Sequence, residues 1–319
     1  MKEDLIKLND ITSSDSRRPS SDVRKEQIVW LLRTLKNFAG FKFTVSLENK
    51  IHRALRNIRI DDLAQWLCKI QRESGTDELI AFVEELTNHE TFFFRDLRQL
   101  DMLSGLIFPK FFESWEEGRF YKYRIWSSAS SSGEEAYTLA MLFIDYALKN
   151  GFAKKSLDNE IKFSHGLELE VVGSDISRQA VRKANDSVFM SGGLASFRRM
   201  PDMYWKYFNK ISEKGKSDSH ARKIEYFEPI STIKKRVKFY QHNLLDTYQN
   251  QFGLFDLVLC RNMMIYIDKE KQSVIHDNLY SSLLDNGYLI VSAVDQIEMK
   301  NRYRESRYKS TAAYQRVSV

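Results

Sequence analysis

Apolar positions in the first third of the chain recur at helical spacing. Ile28, Leu31, Leu32, Leu35 and Phe38 form one stripe, and Gly40 stands where a helix would stop. A second stripe of Leu47, Ile51, Leu55 and Ile58 predicts a helix capped by Ser46. A third helix is expected from Asp61 or Asp62, with Leu63, Trp66, Leu67 and Ile70 inward, broken at Ser74-Gly75. A fourth is expected over 77–86. Residues 25–88 thus read as an all-helical N-terminal domain. Residues 1–24, rich in Ser, Asp and Arg, read as a disordered tail.

Beyond about residue 120 the period changes. Short β-rich runs over 123–128, 169–174, 237–241, 256–260 and 288–293 alternate with helical stretches such as 134–149 and 177–185. Strands separated by helices imply βαβ units and a mostly parallel sheet, so 120–319 reads as an α/β domain joined to the helices by a connecting segment, 89–119. Residues 211–236 interrupt the rhythm. They are rich in Lys, Ser and Glu, with Tyr226-Phe227 ahead of Pro229, and read as a loop or small antiparallel β excursion. No internal repeat is visible.

Composition narrows the class. A chain of 319 residues with 43% hydrophobic positions has material for a large core. No apolar run is long enough for a transmembrane helix, and the polar N-terminus lacks a signal-peptide core. The expectation is a cytoplasmic protein without membrane insertion. Two distant cysteines, Cys68 and Cys260, and six histidines without H-x-x-H spacing predict neither a disulfide framework nor a metal site. A net charge of +6 suits an anionic partner, whether nucleic acid, acidic lipid or acidic protein, or simply a mildly basic soluble protein.

Three predicted strand ends carry polar groups where α/β sheets bind ligands. In RIWSSASSSGEEAY, small residues lead to Gly133, and Glu134 and Glu135 open a helix. The small residues would admit a ligand, although acid at a helix start is also ordinary dipole stabilisation. In EVVGSDIS, Asp175 either accepts ribose hydroxyls or caps the next helix. In FDLVLCRNMMIYID, a strand ends in Arg261 and Asn262, with Tyr266 close behind. A fourth segment, TNHETFFFRDL, sets three phenylalanines beside Arg95 and Asp96 and is expected to pack where the two halves meet.

Taken in order, these segments resemble CheR, the chemotaxis glutamate methyltransferase family. Its pattern of E-T-x-F-F-R-D/E, W-S-A-x-x-S-x-G-E-E-x-Y, A/G-x-D-I, N-L-L and F-D-x-I/V-x-C-R-N-x-x-I-Y reads here as ETFFFRD from Glu90, WSSASSSGEEAY from Trp126, GSDIS from Gly173, NLL from Asn243 and FDLVLCRNMMIYID from Phe255. AAYQRV from Ala312 matches the closing strand, and the resemblance covers about 25–319. Two departures stand out. His89 replaces a frequent Asn, and Ser292-Ala293-Val294-Asp295 replaces G-x-S-E. The segment over about 150–168 also looks long.

The resemblance implies a Rossmann-like, S-adenosylmethionine-dependent methyltransferase domain with a small antiparallel β-subdomain, behind the all-helical domain. It implies S-adenosyl-L-methionine as cofactor, S-adenosyl-L-homocysteine as product, and transfer of methyl to glutamates of a chemoreceptor (methyl-accepting chemotaxis protein) cytoplasmic domain, with no nucleic-acid partner. Thr91 and Arg95 would enclose the cofactor and Glu134 would meet its amino-acid part. Asp175 would take the ribose, Asn243 and Leu244 the adenine, while Arg261 and Asn262 line the pocket. Arg95 and Tyr266 would face the reacting centre. A carboxylate acceptor is already a nucleophile at neutral pH, so these two are assigned positioning rather than proton transfer. On the second helix Lys50, Arg53 and Arg56, with Arg59 flanking, form either a solvated face or a dock for an acidic receptor bundle. The competing readings are a relative acting on another protein or on nucleic acid, the latter without the N/D-P-P-Y/F motif of amino-group methylation, and a cofactor-sensing module without catalysis.

Overall fold

The computed structural model describes residues 21–56, 65–70, 77–116, 118–157, 160–164, 166–192, 196–211, 224–248, 251–293, 295 and 300–317. The chain divides into two compact units, Met1–Thr87 and Asn88–Val319.

In the first unit α1 (Ser21–Ala39) begins inside the segment read as tail and buries Ile28, Leu31 and Leu35. Helix α2 (Val45–Ala54) is capped by Thr44 rather than Ser46. Thr44 has extended backbone (φ −141°, ψ 154°), as an N-cap requires, and its hydroxyl accepts the Leu47 N–H at 3.1 Å. Leu47, Ile51 and Leu55 are buried. Residues 65–70 form α3, with Leu67 and Ile70 buried and Trp66 edge-on to Phe82. Helix α4 (Asp77–Leu86) turns Leu79, Phe82, Val83 and Leu86 inward. Ile58, the start of the third helix and the tail over 1–20 lie outside the described residues.

The second unit begins with α5 (Leu97–Met102), which runs through a π turn (Leu103–Ile107) into α6 (Phe108–Ser114). Then follow β1 (Tyr121–Ser127), α7 (Glu134–Lys149), β2 (Ala153–Lys155), β3 (Ile161–Phe163), β4 (Leu167–Asp175), α8 (Arg178–Asp186) and β5 (Phe189–Met190). After these come β6 (Phe208–Ile211), β7 (Tyr226–Pro229), α9 (Ser231–Lys234), β8 (Val237–Gln241), β9 (Phe255–Cys260), α10 (Lys269–Ser281), β10 (Leu283–Val291), β11 (Tyr303–Tyr308) and β12 (Thr311–Arg316). The main sheet has seven strands in the order β11-β12-β10-β9-β1-β4-β8. All its pairings are parallel except those of the β11–β12 hairpin and of β12 with β10. This is a Rossmann-like α/β sheet. Successive residues of a strand face opposite sides, and both sides here are dry. Ile125, Val171 and Leu257 join one buried cluster, whereas Trp126, Val172 and Val258 join the other. That is why the central strands read as unbroken apolar runs. Among the described residues no helix is long and apolar enough to cross a membrane.

Three sequence expectations change. The excursion placed at 211–236 is a three-stranded antiparallel sheet, β5-β7-β6, and two of its strands come before it in sequence. Residues 231–234 of that span are helical and lead into β8 instead, while 212–223 lie outside the described residues. The segment taken as a connector, 89–119, is part of the second unit. Phe93 lies 4.8–5.0 Å, centroid to centroid, from Phe189, Phe197 and Phe208, and Phe94 lies 4.3 Å from Tyr204. The phenylalanines therefore anchor the ETFFFRD segment within this unit, against its β-subdomain and the turn before it. Finally, the long segment after α7 contains the short antiparallel pair β2–β3.

Candidate cofactor and acceptor site

Strand β1 lies between β4 and β9, where the strand order reverses, and crevices at such points accept ligands beyond the C-terminal strand ends. The three ends are level, because Ser127 pairs with Gly173 on one side and Leu259 on the other. The loop leaving β1 is tied down by its own small residues. Ser128 Oγ donates to the Leu259 carbonyl at 3.0 Å, and the Ser130 N–H donates to the Ser174 carbonyl at 2.8 Å. Gly133 ends that loop with φ +97°, and a Cβ there would sit 2.7 Å from Phe239 Cζ. At Gly173 a Cβ would overlap the same ring. Backbone freedom and close approach both demand glycine.

Glu134 and Glu135 open α7 but do different work. Glu134 is 2% exposed. Its carboxylate accepts from Ser132 Oγ and Ser196 Oγ, each at 2.7 Å, and no cation lies within ion-pair distance among the described residues. Burial pushes its carboxyl above the usual range, opposed by the two hydroxyls. A buried carboxylate with neutral donors alone is a receptor for a cation. Glu135 already has one. It accepts from Arg261 Nε at 2.8 Å and from Ser127 Oγ at 2.7 Å.

Arg261 reaches further. Its Nη2 donates to the Arg95 carbonyl at 2.9 Å and its Nη1 to Gln99 Oε1 at 3.4 Å, while Gln99 Nε2 donates to the Val291 carbonyl at 2.6 Å. With 2% of its side chain exposed, Arg261 is a strut joining β9, α7 and the ETFFFRD segment, and through Gln99 also β10.

Asp175 is half-buried at the end of β4. Its Oδ2 accepts the Ser131 N–H at 2.9 Å and its Oδ1 the Ser177 N–H at 3.0 Å. The cap of α8 is Ser177, whose hydroxyl accepts the Ala180 N–H. Asp175 instead clamps the β1–α7 loop. The His242 N–H donates to the Asp175 carbonyl, which brings the NLL turn alongside. There Asn243 Oδ1 accepts the Leu245 N–H at 3.1 Å, and buried Leu244 gives its carbonyl to Asn278. The other predicted residues arrive on two segments. Ser131 Oγ donates to the His89 carbonyl at 3.1 Å, which fastens the stretch bearing Thr91. Arg95 Nη1 donates to the Glu90 carbonyl at 2.7 Å. Tyr266, on the turn Met264–Tyr266, is 45% exposed, and its hydroxyl accepts from Asn88 Nδ2 at 3.5 Å. Asn262 has φ 57°, and its N–H donates to Ser292 Oγ. The first residue that departs from G-x-S-E thus supplies a hydroxyl holding the turn after β9.

The predicted cofactor and acceptor residues therefore gather at one end of the sheet. Gln99, Ser196 and Ser292 join them without carrying a motif, and only Ser292 had a signal, as a departure. Lys50, Arg53 and Arg56 lie on α2 or just past its end in the first unit. Lys50 Nζ donates to the Leu86 carbonyl at 2.8 Å, Arg53 and Arg56 are exposed, and Arg59 lies outside the described residues. Chemically, the site offers a carboxylate for an ammonium, a second carboxylate beside it, an apolar turn, and a guanidinium with a phenol at the rim.

The family model described as CheR methyltransferase, SAM binding domain, matches residues 89–313. The chain is 23% identical over 280 residues to the chemotaxis protein methyltransferase of Borreliella burgdorferi, covering 86% of this chain and 90% of that protein. It is 27% identical over 274 residues to chemotaxis protein methyltransferase 1 of Pseudomonas aeruginosa, covering 84% and 88%. With the chemotaxis protein methyltransferase of Salmonella typhimurium the identity is 26% over 266 residues, covering 83% and 80%.

Proposed function

The chain belongs to the CheR methyltransferase family and is an S-adenosylmethionine-dependent enzyme, and on that footing we propose that it methylates glutamate side chains of chemoreceptor cytoplasmic domains. The cofactor supplies an electrophilic methyl group on a sulfonium and leaves as S-adenosylhomocysteine. The residues suit it. Glu134 has a buried charge that an α-ammonium would neutralise. Asp175, held at the end of β4 by the Ser131 and Ser177 N–H groups, would take the ribose hydroxyls, and Asn243 and Leu244 would border the adenine. Thr91 and Asn262 complete the enclosure.

The acceptor carboxylate needs no general base, so the protein's task is alignment and exclusion of water. Arg95 and Tyr266 orient the glutamate. Arg261, which the resemblance assigns to the pocket lining, would act through the Arg95 backbone and Glu135 as a positioning residue. The observation that carries this reading is the fastening of the ETFFFRD segment to the strand ends, which sets a guanidinium and a hydroxyl at the rim of the cofactor crevice. Exposed Arg53 and Arg56, with Arg59, would dock acidic receptor helices in the cytoplasm. Lys50 is shared with the Leu86 carbonyl.

The test supplies methyl-labelled cofactor with a soluble chemoreceptor cytoplasmic fragment. Label is expected on the fragment and absent when its acceptor glutamates are replaced by alanine. Cofactor binding without transfer to the intact fragment would favour the non-catalytic reading.

A further inference from the structure

Phe92 lies under three guanidinium groups. The Cζ of Arg198 is 3.9 Å from the ring centroid, that of Arg199 5.7 Å and that of Arg95 5.8 Å. The ring is buried, so it forms a floor rather than a protruding contact. A carboxylate reaches the group. Glu90 is ion-paired with Arg198 at 2.5 Å, and its backbone carbonyl takes Arg95 Nη1. Arg199 is exposed and, among the described residues, makes no ion pair. Like charges gathered on one ring repel, and stacking on an aromatic face offsets this only in part. Such a cluster is completed by an anion.

We propose that Arg199, with Arg198 and the Phe92 floor, reads acidic side chains flanking the methyl-accepting glutamate. This rests on the acceptor reading given above, in which Arg95 meets that glutamate. Since Arg95 and Arg199 lie 5.8 and 5.7 Å from one centroid, their separation spans at most about two turns of a bound helix. The acidic residues recognised are therefore one or two turns from the acceptor. Arginine suits the place, because its planar group stacks on Phe92 while presenting donors to a carboxylate.

Steady-state kinetics on a receptor cytoplasmic fragment test it. Arg199→Glu should raise KM for the fragment about tenfold, flatten its dependence on salt, and leave kcat at saturation and S-adenosylhomocysteine affinity unchanged. Neutralising the fragment's acidic residues one or two turns from the acceptor should raise KM similarly for the wild type, with little further effect on Arg199→Glu. An unchanged KM in Arg199→Glu would overturn the proposal, as would effects of the two changes that simply add. A fall in kcat and melting temperature with KM constant would also overturn it, since that marks a structural role. Wild-type protein that methylates no receptor fragment would instead overturn the acceptor reading, and this inference with it.

Discussion

At the scale of single residues, the site depends on charges held away from water. Glu134 is the sharpest case. Its folded carboxyl is raised by burial, so without cofactor the folded state binds a proton more tightly than the unfolded chain. Its stability contribution is fullest below the ordinary carboxylate range and is lost as pH rises through the raised value. Glu134→Gln should therefore keep or raise the melting temperature at pH 7 while weakening S-adenosylhomocysteine binding about tenfold or more in calorimetry. Unchanged affinity would remove Glu134 from the ammonium role. Arg261 should behave oppositely. Arg261→Ala leaves the partly buried Glu135 without its cationic partner and is expected to cost about 1–3 kcal/mol of stability, and lysine, lacking the fork that spans Glu135 and the Arg95 carbonyl, should not restore it. A melting temperature close to wild type in either variant would refute the strut. Glu134, Asp175 and Arg261 could be singled out in the sequence because Asp175 and Arg261 stand at strand ends and Glu134 opens the helix that follows one, each within a motif. Gln99 and Ser196 were not, since folding alone brings such distant and chemically ordinary residues to the site.

At the scale of elements, legibility followed burial. The central parallel strands are dry on both faces and announce themselves as apolar runs. Strand β11, YRESRY, is an edge strand whose charges guard against unwanted pairing, and those charges hid it. The excursion was misplaced because its strands come from three separate stretches of chain. Thr44 took the cap from Ser46 because the turn of chain, rather than residue type, decides which hydroxyl faces the free N–H groups. The loop between β1 and α7 makes a direct prediction. Gly133→Ala places a Cβ at φ +97° against Phe239 and should cost about 1–3 kcal/mol in chemical denaturation, with weakened cofactor binding. Equal stability would contradict the close approach. On α2, Arg53→Glu should lower receptor methylation and leave S-adenosylhomocysteine affinity intact, and a parallel loss of both would make that face structural. Lys50 is a poorer probe, because its bond to the Leu86 carbonyl adds a stability cost of about 0.5–1.5 kcal/mol to any effect on docking.

At the scale of the whole molecule, opposing carboxylates set the response to pH. Burial would raise Glu170 and Asp145, but Lys238 with Arg124, and Lys149 with Lys206, overcome it and lower both. These pairs stabilise above the ordinary carboxylate range, and that contribution is lost as pH falls through the lowered values. Asp256, at the start of β9, is different. Burial pushes it up to about 6 against hydrogen bonds from Tyr121 and the Arg124 N–H. Its contribution is full below the unfolded value and is lost as pH rises towards 6. Asp256→Asn should therefore flatten the fall in stability between about pH 4 and 6 that this group causes, as read by denaturant midpoints. An unaltered pH profile would remove Asp256 as the cause. The reaction class depends on all of these parts together, and the bond that is made tests it most directly. Receptor fragment labelled from methyl-tritiated S-adenosylmethionine should lose its label as volatile methanol under mild base, because a glutamate methyl ester hydrolyses there. Label that survives base would place the methyl on nitrogen or another base-stable atom and contradict the assignment of a glutamate carboxylate as acceptor.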